Sequence, residues 1–266
     1  MPATRTHRLA VLADPLDALA DADLLGRHAA GDGGRAFAAL VRRHGPVVFA
    51  VCRRALGNAT DADDAFQAVF LRLARCGAGV RDPRALPAWL HRVAVRVARR
   101  ALTRRRPAPP LPPDAADPAD PFGGVAWRDL RRVLDEEIDR LPDQLRAPLV
   151  LCLLDGLTRD EAAAQLRCSL NTVRRRVDTG RELLRSRLLR RGVGPLAVAL
   201  GALDPGGLRA VVPPSLGAAA ARLGEPGGAV APVVAALAAA GAPRGGWAVL
   251  LVGAVMDACG GRCGAD

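Results

Sequence analysis

The segment DGLTRDEAAAQLRCSLNTVRRRVDTG, residues 155–180, carries two helix starts separated by a short break. Thr158-Arg-Asp-Glu161 is a capping box: the Thr hydroxyl accepts from the backbone of the third helical residue, whose carboxylate accepts in return. Arg167-Cys168-Ser169 interrupts the pattern, and Ser169 caps a second helix on which Val173, Val177 and Leu184 fall to one side. Helix, tight turn and helix is the helix-turn-helix outline. Its second helix enters the major groove, where its early residues meet base edges. With the valines turned inward, Arg175 projects most nearly outward, flanked by Asn171, Thr172, Arg174 and Arg176. Arginine grips guanine or phosphate with two prongs, and asparagine suits adenine. Asp178 and Glu182 lie further along and repel phosphate, which confines contact to the first two turns. An arginine triplet by itself reads as a solvated face; the capping box, the turn length and the inward valines together favour DNA.

Working outward, Leu130, Val133, Leu134 and Ile138 form an amphipathic helix that leads to Leu141-Pro142. LRAPLVLCLLDG (145–156) reads as a helix with Pro148 in its first turn and its end at Gly156. Seven prolines between Pro107 and Pro121 block helix and sheet and mark residues 107–124 as an interdomain linker. Before it, Phe37, Leu40, Val41, Val48, Val51, Cys52 and Leu56 recur at helical spacing, interrupted at Gly45-Pro46. Ala62, Phe66, Val69, Phe70 and Leu73 form a second stripe, with Asp61, Asp64 and Gln67 on another face. Leu86, Leu90, Val93, Val97 and Ala101 form a third, opposite an arginine stripe at Arg92, Arg96 and Arg99. The expected fold is all-α: an N-terminal segment 1–20, helical domains at 21–106 and 125–191, and a Gly/Ala/Pro-rich tail at 192–266. That tail is expected to be loosely structured or partly helical, with few contacts across its boundary.

The chain has 266 residues, a formal charge of +11, and no lysine, so all 38 bases are arginines. Residues 1–106 hold 19 arginines against nine acids, and residues 125–191 hold 15 against 11; the tail is neutral. Two basic blocks point to an anionic partner, nucleic acid before membrane. The six cysteines lack zinc-knuckle spacing, and Cys52 and Cys152 fall on apolar helical faces as small hydrophobes. The apolar run Leu9–Ala13 stops at Asp14, so no secretory signal is read, and a cytoplasmic location is expected. The tail's apolar runs, 229–240 and 247–258, fall short of the roughly 20 residues that span a bilayer, which disfavours membrane contact.

DADDAFQAVFLRLAR (61–75) and PRALPAWLHRVAVRVARRALTRRR (83–106), preceded by FAALVRRHGPVVFAVCRRALGN (37–58), resemble region two of the extracytoplasmic-function sigma factors of bacterial RNA polymerase. IDRLPDQLRAPLVLCLLDGLTRDEAAAQLRCSLNTVRRRVDTGRELLRSRL (138–188) resembles their region four. By this resemblance Asp61, Asp64 and Gln67 would bind core RNA polymerase. Arg92, Arg96, Arg99 and Arg100 would face the minus-ten element, and Trp89 would pack in the core. Asn171, Thr172, Arg174, Arg175 and Arg176 would read the minus-thirty-five element of promoter DNA. An anti-sigma protein is a further partner that such factors can have. Two departures stand out: Asn171 replaces the usual Gly before Thr-Val, and Gly180 replaces a common Ala, at about 1 kcal/mol inside a helix. The rival reading is a stand-alone helix-turn-helix regulator, which would not need the N-terminal domain. No catalytic constellation, cofactor motif or metal-ligand spacing is read anywhere in the sequence.

Overall fold

The apolar spacing fixes the helices, and their order follows from where the caps fall. The structure is a computed structural model that describes residues 14–32, 34–77, 80, 82–104, 125–193, 208–225, 227 and 230–239, with α5 side chains from 130 onward. Its α-helices are α1 (Asp21–Ala29), α2 (Arg35–Leu56), α3 (Ala59–Cys76), α4 (Leu86–Arg104) and α5 (Val125–Asp139). They continue with α6 (Asp143–Leu153), α7 (Arg159–Leu166), α8 (Leu170–Arg190), α9 (Pro214–Arg222) and α10 (Pro232–Ala239). Among the described residues there is no strand, and no helix is long and apolar enough to cross a membrane. The all-α expectation holds. The proline-rich stretch 107–124 and the second apolar run of the tail, 247–258, lie outside the described residues.

Helices α2, α3 and α4 pack on one another, with α1 laid against α2. Their core centres on phenylalanines: Phe49 meets Phe66 at 5.5 Å between ring centroids, Phe66 meets Phe70 at 5.0 Å, and Phe70 meets Phe37 at 6.4 Å. Such tilted and edge-on pairs add to the burial of large apolar area. Trp89 packs against the edge of this core. Gly57 ends α2 in the left-handed conformation at φ 66°, and Asn58 caps α3 by accepting from the Asp61 N–H at 3.0 Å. Two prolines depart from expectation. The Gly45-Pro46 break does not occur, because α2 runs unbroken with Pro46 inside it and Val47, Val48 and Phe49 buried around it. Likewise α6 starts at Asp143, so Pro148 sits in its interior rather than its first turn. In both places burial of the flanking apolar residues outweighs one lost backbone hydrogen bond.

The second domain has two small cores. Leu134, Ile138, Leu149, Leu153, Leu184 and Leu188 form one, and Val47 of α2 and Ala88 of α4 enter it from the N-terminal domain. Leu151, Ala162, Ala163, Val173 and Val177 form the other, under the helix-turn-helix. The domains are joined by a buried ion pair. Arg54 of α2 donates to both carboxylate oxygens of Asp135 on α5, at 2.9 and 3.1 Å, and His91 Nε2 of α4 lies 3.2 Å from the same carboxylate. Burial by itself would raise the Asp135 carboxyl. The Arg54 charge and the hydrogen bonds from His91 and Arg54 outweigh that and hold it below its ordinary value.

The tail is partly helical, as expected, but it is not loosely attached. Contacts do cross its boundary: α9 packs on α2 and α3, and α10 packs on α3 and α4. Leu216, Ala220, Val234, Leu237 and Ala238 are buried in the N-terminal core. The Ala210 N–H donates to the Pro46 carbonyl at 3.0 Å, and Arg54 donates to the Leu208 carbonyl at 3.0 Å. Ala, Gly and Pro give little contrast between faces, which is why the sequence reads as a loose tail. Small residues instead let it lie close: Gly45 sits beside Val212, and Gly224 lies directly on Phe37.

Two outcomes are expected. A Cβ at Gly224 would stand 2.5 Å from the Phe37 ring, so Gly224→Ala should destabilise the N-terminal domain by about 1–3 kcal/mol, read as a lower melting temperature. On a tail without core contacts the same change would be neutral or stabilising. Asp135→Ala leaves Arg54 unpaired in the interface and should cost about 3–5 kcal/mol in denaturant unfolding. The folded Asp135 carboxyl lies below its unfolded value of 3.8. Its stabilisation is therefore complete above the ordinary carboxylate range and is lost as pH falls through the lower folded value. The domain contact should persist at pH 5 and weaken only below about pH 4, as followed by the fluorescence of Trp89.

Candidate nucleic-acid interface

Both helix starts of the helix-turn-helix form as their residues dictate. The Thr158 N–H donates to Glu161 Oε2 at 2.8 Å, and the Glu161 N–H donates to Thr158 Oγ1 at 3.2 Å. In the turn Arg167 takes φ 50°, the one left-handed residue other than glycine among the described residues. Ser169 then caps α8 by accepting from the Thr172 N–H at 3.2 Å. Val173 and Val177 are fully buried, which turns the opposite side of α8 outward. Asn171, Arg174 and Arg175 are exposed there, while Thr172 and Arg176 are half-buried. Arg174, Arg175 and Arg176 form no ion pair among the described residues, so three guanidinium forks stand over the first turns of α8. Asp178 is not bare carboxylate: Arg159 of α7 donates to it at 2.9 Å and offsets the repulsion expected there. Gly180 has a packing reason, since a Cβ would lie 2.9 Å from Leu149 Cδ1. It seats α8 tightly on α6.

The arginine stripe of α4 is placed differently from a bare surface. Arg92 donates to Asp143 at 3.1 Å and lies 3.6 Å from Asp139; Arg99 lies 3.5 Å from Glu136. Arg96 is half-buried next to Arg72 of α3, and Arg100 is exposed at the end of the stripe. The acidic side of α5 and the start of α6 thus lie along the arginines of α4. Each of these pairs is partly solvated and weak alone; their alignment along one face gives the contact its direction.

Asp61, Asp64 and Gln67 do share the outer side of α3, but all three are half-buried, whereas the sequence predicts an open ledge. Asp61 receives the Asn58 side-chain amide at 3.3 Å. Burial raises the Asp64 carboxyl, and the neighbouring Asp61 and Asp63 charges raise it further.

Sequence reasoning missed the acids of α5. Glu137 is buried, pairing with Arg140 and, at 3.0 Å, with Arg191; Glu136 meets Arg191 at 3.1 Å. A signal existed: Glu137 falls within the apolar stripe of Leu130, Val133, Leu134 and Ile138, where an acid implies a buried cation. Asp135 at the stripe's flank gave none, because its partners lie 44 and 81 residues away.

Comparison with known proteins matches both helical domains. Residues 40–107 match the family described as Sigma-70 region 2, and residues 131–184 match that described as Sigma-70, region 4. The chain is 35% identical over 155 residues to the ECF RNA polymerase sigma factor SigE of Mycolicibacterium smegmatis, covering 56% of this chain and 60% of that protein. It is 30% identical over 177 residues to the RNA polymerase sigma-H factor of Pseudomonas aeruginosa, covering 62% of this chain and 91% of that one. The ECF RNA polymerase sigma-E factor of Escherichia coli is 31% identical over 179 residues, with 62% and 93% covered.

Proposed function

The chain belongs to the extracytoplasmic-function sigma factors of RNA polymerase, and we propose how its surfaces divide the work of directing transcription initiation. The domain at 125–191 reads the minus-thirty-five element through Asn171, Thr172, Arg174, Arg175 and Arg176. The domain at 21–106 binds core polymerase through Asp61, Asp64 and Gln67 on α3, and meets the minus-ten element through Arg92, Arg96, Arg99 and Arg100 on α4. The action takes place in the cytoplasm, with polymerase and promoter. The observation that carries this reading is the first two turns of α8: exposed arginine forks held outward by two buried valines. Arginine in that position can grip base edges and phosphates with paired hydrogen bonds, a geometry no solvated face requires.

On promoter DNA the two domains have to part. The minus-ten and minus-thirty-five elements are about 25 base pairs apart, roughly 85 Å along the duplex at 3.4 Å per step. Here the helix-turn-helix touches the α4 entry directly, since the Gln165 amide donates to the Arg84 carbonyl at 3.0 Å. The 20 residues between α4 and α5 reach about 70 Å when extended, enough to let the domains separate once Val47 and Ala88 leave the second domain's core and Asp135 leaves Arg54. A stand-alone regulator would use α7 and α8 but has no role for an α3–α4 domain whose arginine face lies within reach of DNA.

Arg175→Ala should cost about 1–3 kcal/mol on a cognate minus-thirty-five sequence and relax selectivity at one base, measured by competition binding across variant promoters. An equal loss on every sequence would restrict Arg175 to phosphate contact. Reversal of both Asp61 and Asp64 to Arg should abolish binding to core polymerase while leaving duplex binding by α7–α8 intact. A folded double variant that still supports run-off transcription would refute the assignment of α3, and a wild-type chain that binds promoters but never core polymerase would establish the regulator reading.

A further inference from the structure

Among the described residues, the helices packed against α3 are α2, α4, α9 and α10. Phe66 and Phe70 of α3 face the rings of α2, with Phe49 and Phe37 opposite them. Arg72 of α3 lies within electrostatic reach of Arg96 on α4. At 100° per residue these contacts give α2 and α4 two adjoining sides of α3. The side left over carries Asp64, Gln67, Ala68 and Leu71. On a helix whose outer side met solvent, Ala68 and Leu71 would be exposed; they are 0% and 3% exposed. Of the described helices, those of the tail remain to cover them. Helix α10, PVVAALAA, is apolar throughout, with Val234, Leu237 and Ala238 buried in the N-terminal core and Val233 54% exposed on its far side.

We infer that the tail helices α9 and α10 occupy, within the same chain, the α3 face that binds core polymerase, so that docking requires their displacement. The inference rests on the assignment of Asp64 and Gln67 as polymerase contacts proposed above. A partner helix cannot bring a two-pronged arginine to Asp64 while α10 lies along that side, because the fork needs both carboxylate oxygens in plane. The tail is well seated for this purpose: Ala210 is hydrogen-bonded to the Pro46 carbonyl, Leu208 to Arg54, and Gly224 lies on Phe37. Its burial leaves α3 satisfied without polymerase, and the apparent affinity for polymerase falls by the fraction of chains with the tail displaced.

The test compares full-length wild type, Leu237→Asp and Val233→Asp for binding to core polymerase by fluorescence anisotropy. Leu237→Asp puts a charge against the N-terminal core and should free the tail, tightening binding at least tenfold. Val233→Asp, on the exposed side of the same helix, should bind as wild type does. Adding Asp64→Arg to Leu237→Asp should remove the gain. A folded Leu237→Asp chain that binds no better than wild type overturns the inference while leaving α3 as the polymerase contact. If Asp64→Arg has no effect in either background, the α3 assignment itself fails, and the inference falls with it. Should Leu237→Asp melt below the assay temperature, hydrogen exchange on the wild-type chain gives the answer. Amides 233–239 should lose protection when core polymerase is added while those of α3 keep it, and tail amides that stay protected in the complex overturn the inference.

Discussion

The Asp135 carboxylate is the point through which the two domains hold each other. It is buried, it is charged, and its partners come from two helices of the other domain: Arg54 from α2 and His91 from α4. A buried carboxylate is costly unless every lone pair is used, so this one fixes where α5 sits far more strictly than apolar packing would. Leu134 and Ile138 hold α5 by packing in the second core, and Asp135 cannot move without stranding Arg54. Once α5 is set, Glu136 and Glu137 meet Arg191 and Arg187 at the end of α8, and the recognition helix is placed in turn. The chain of dependence runs from a single carboxylate to the helix that carries Arg175.

The same chemistry bears on the arginine face of α4. Arginine is the sole strong base in the chain, and its planar fork fits carboxylate and phosphate alike. The stripe at Arg92 and Arg99 is paired here with the acids of α5 and α6, and the DNA contact proposed for it would have to replace those pairs. These pairs are partly solvated and individually weak, so a polyanion that offers many phosphates at once, with release of its condensed cations, can compete for the stripe at moderate salt.

Much of this is legible in the sequence, and the reasons differ by element. The helix-turn-helix can be read to the residue because its signals are local: Thr158 and Glu161 lie one turn apart, Ser169 caps the recognition helix, and Val173 and Val177 share a face. The stripes of α3 and α4 are legible for the same reason. Pro46 and Pro148 mislead because a proline's local penalty is fixed while the burial that offsets it depends on distant helices. Asp64 and Gln67 read as open because periodicity shows which face is apolar and cannot show that a second apolar element covers the polar one. The tail is the least legible part. Helix α10 is apolar on every side, so it has no amphipathic contrast to read, and its partner surfaces on α3 and α4 lie more than 120 residues upstream.

The covering of α3 and the covering of α4 are coupled through Arg54. Its Nε and one terminal nitrogen hold Asp135 of α5, while the other terminal nitrogen holds the Leu208 carbonyl at the root of the tail. A guanidinium with all of its hydrogen bonds directed is worth more than the same group with one fork empty. Departure of α5 leaves Arg54 with the Leu208 carbonyl alone of the acceptors named, and departure of the tail root removes an acceptor that orients the fork toward Asp135. Each departure weakens the hold on the other element. Release of α5 and release of the tail root therefore favour each other, by the reciprocity that any shared equilibrium imposes. One arginine near the end of α2 thus ties the seat of α5 to the seat of the tail.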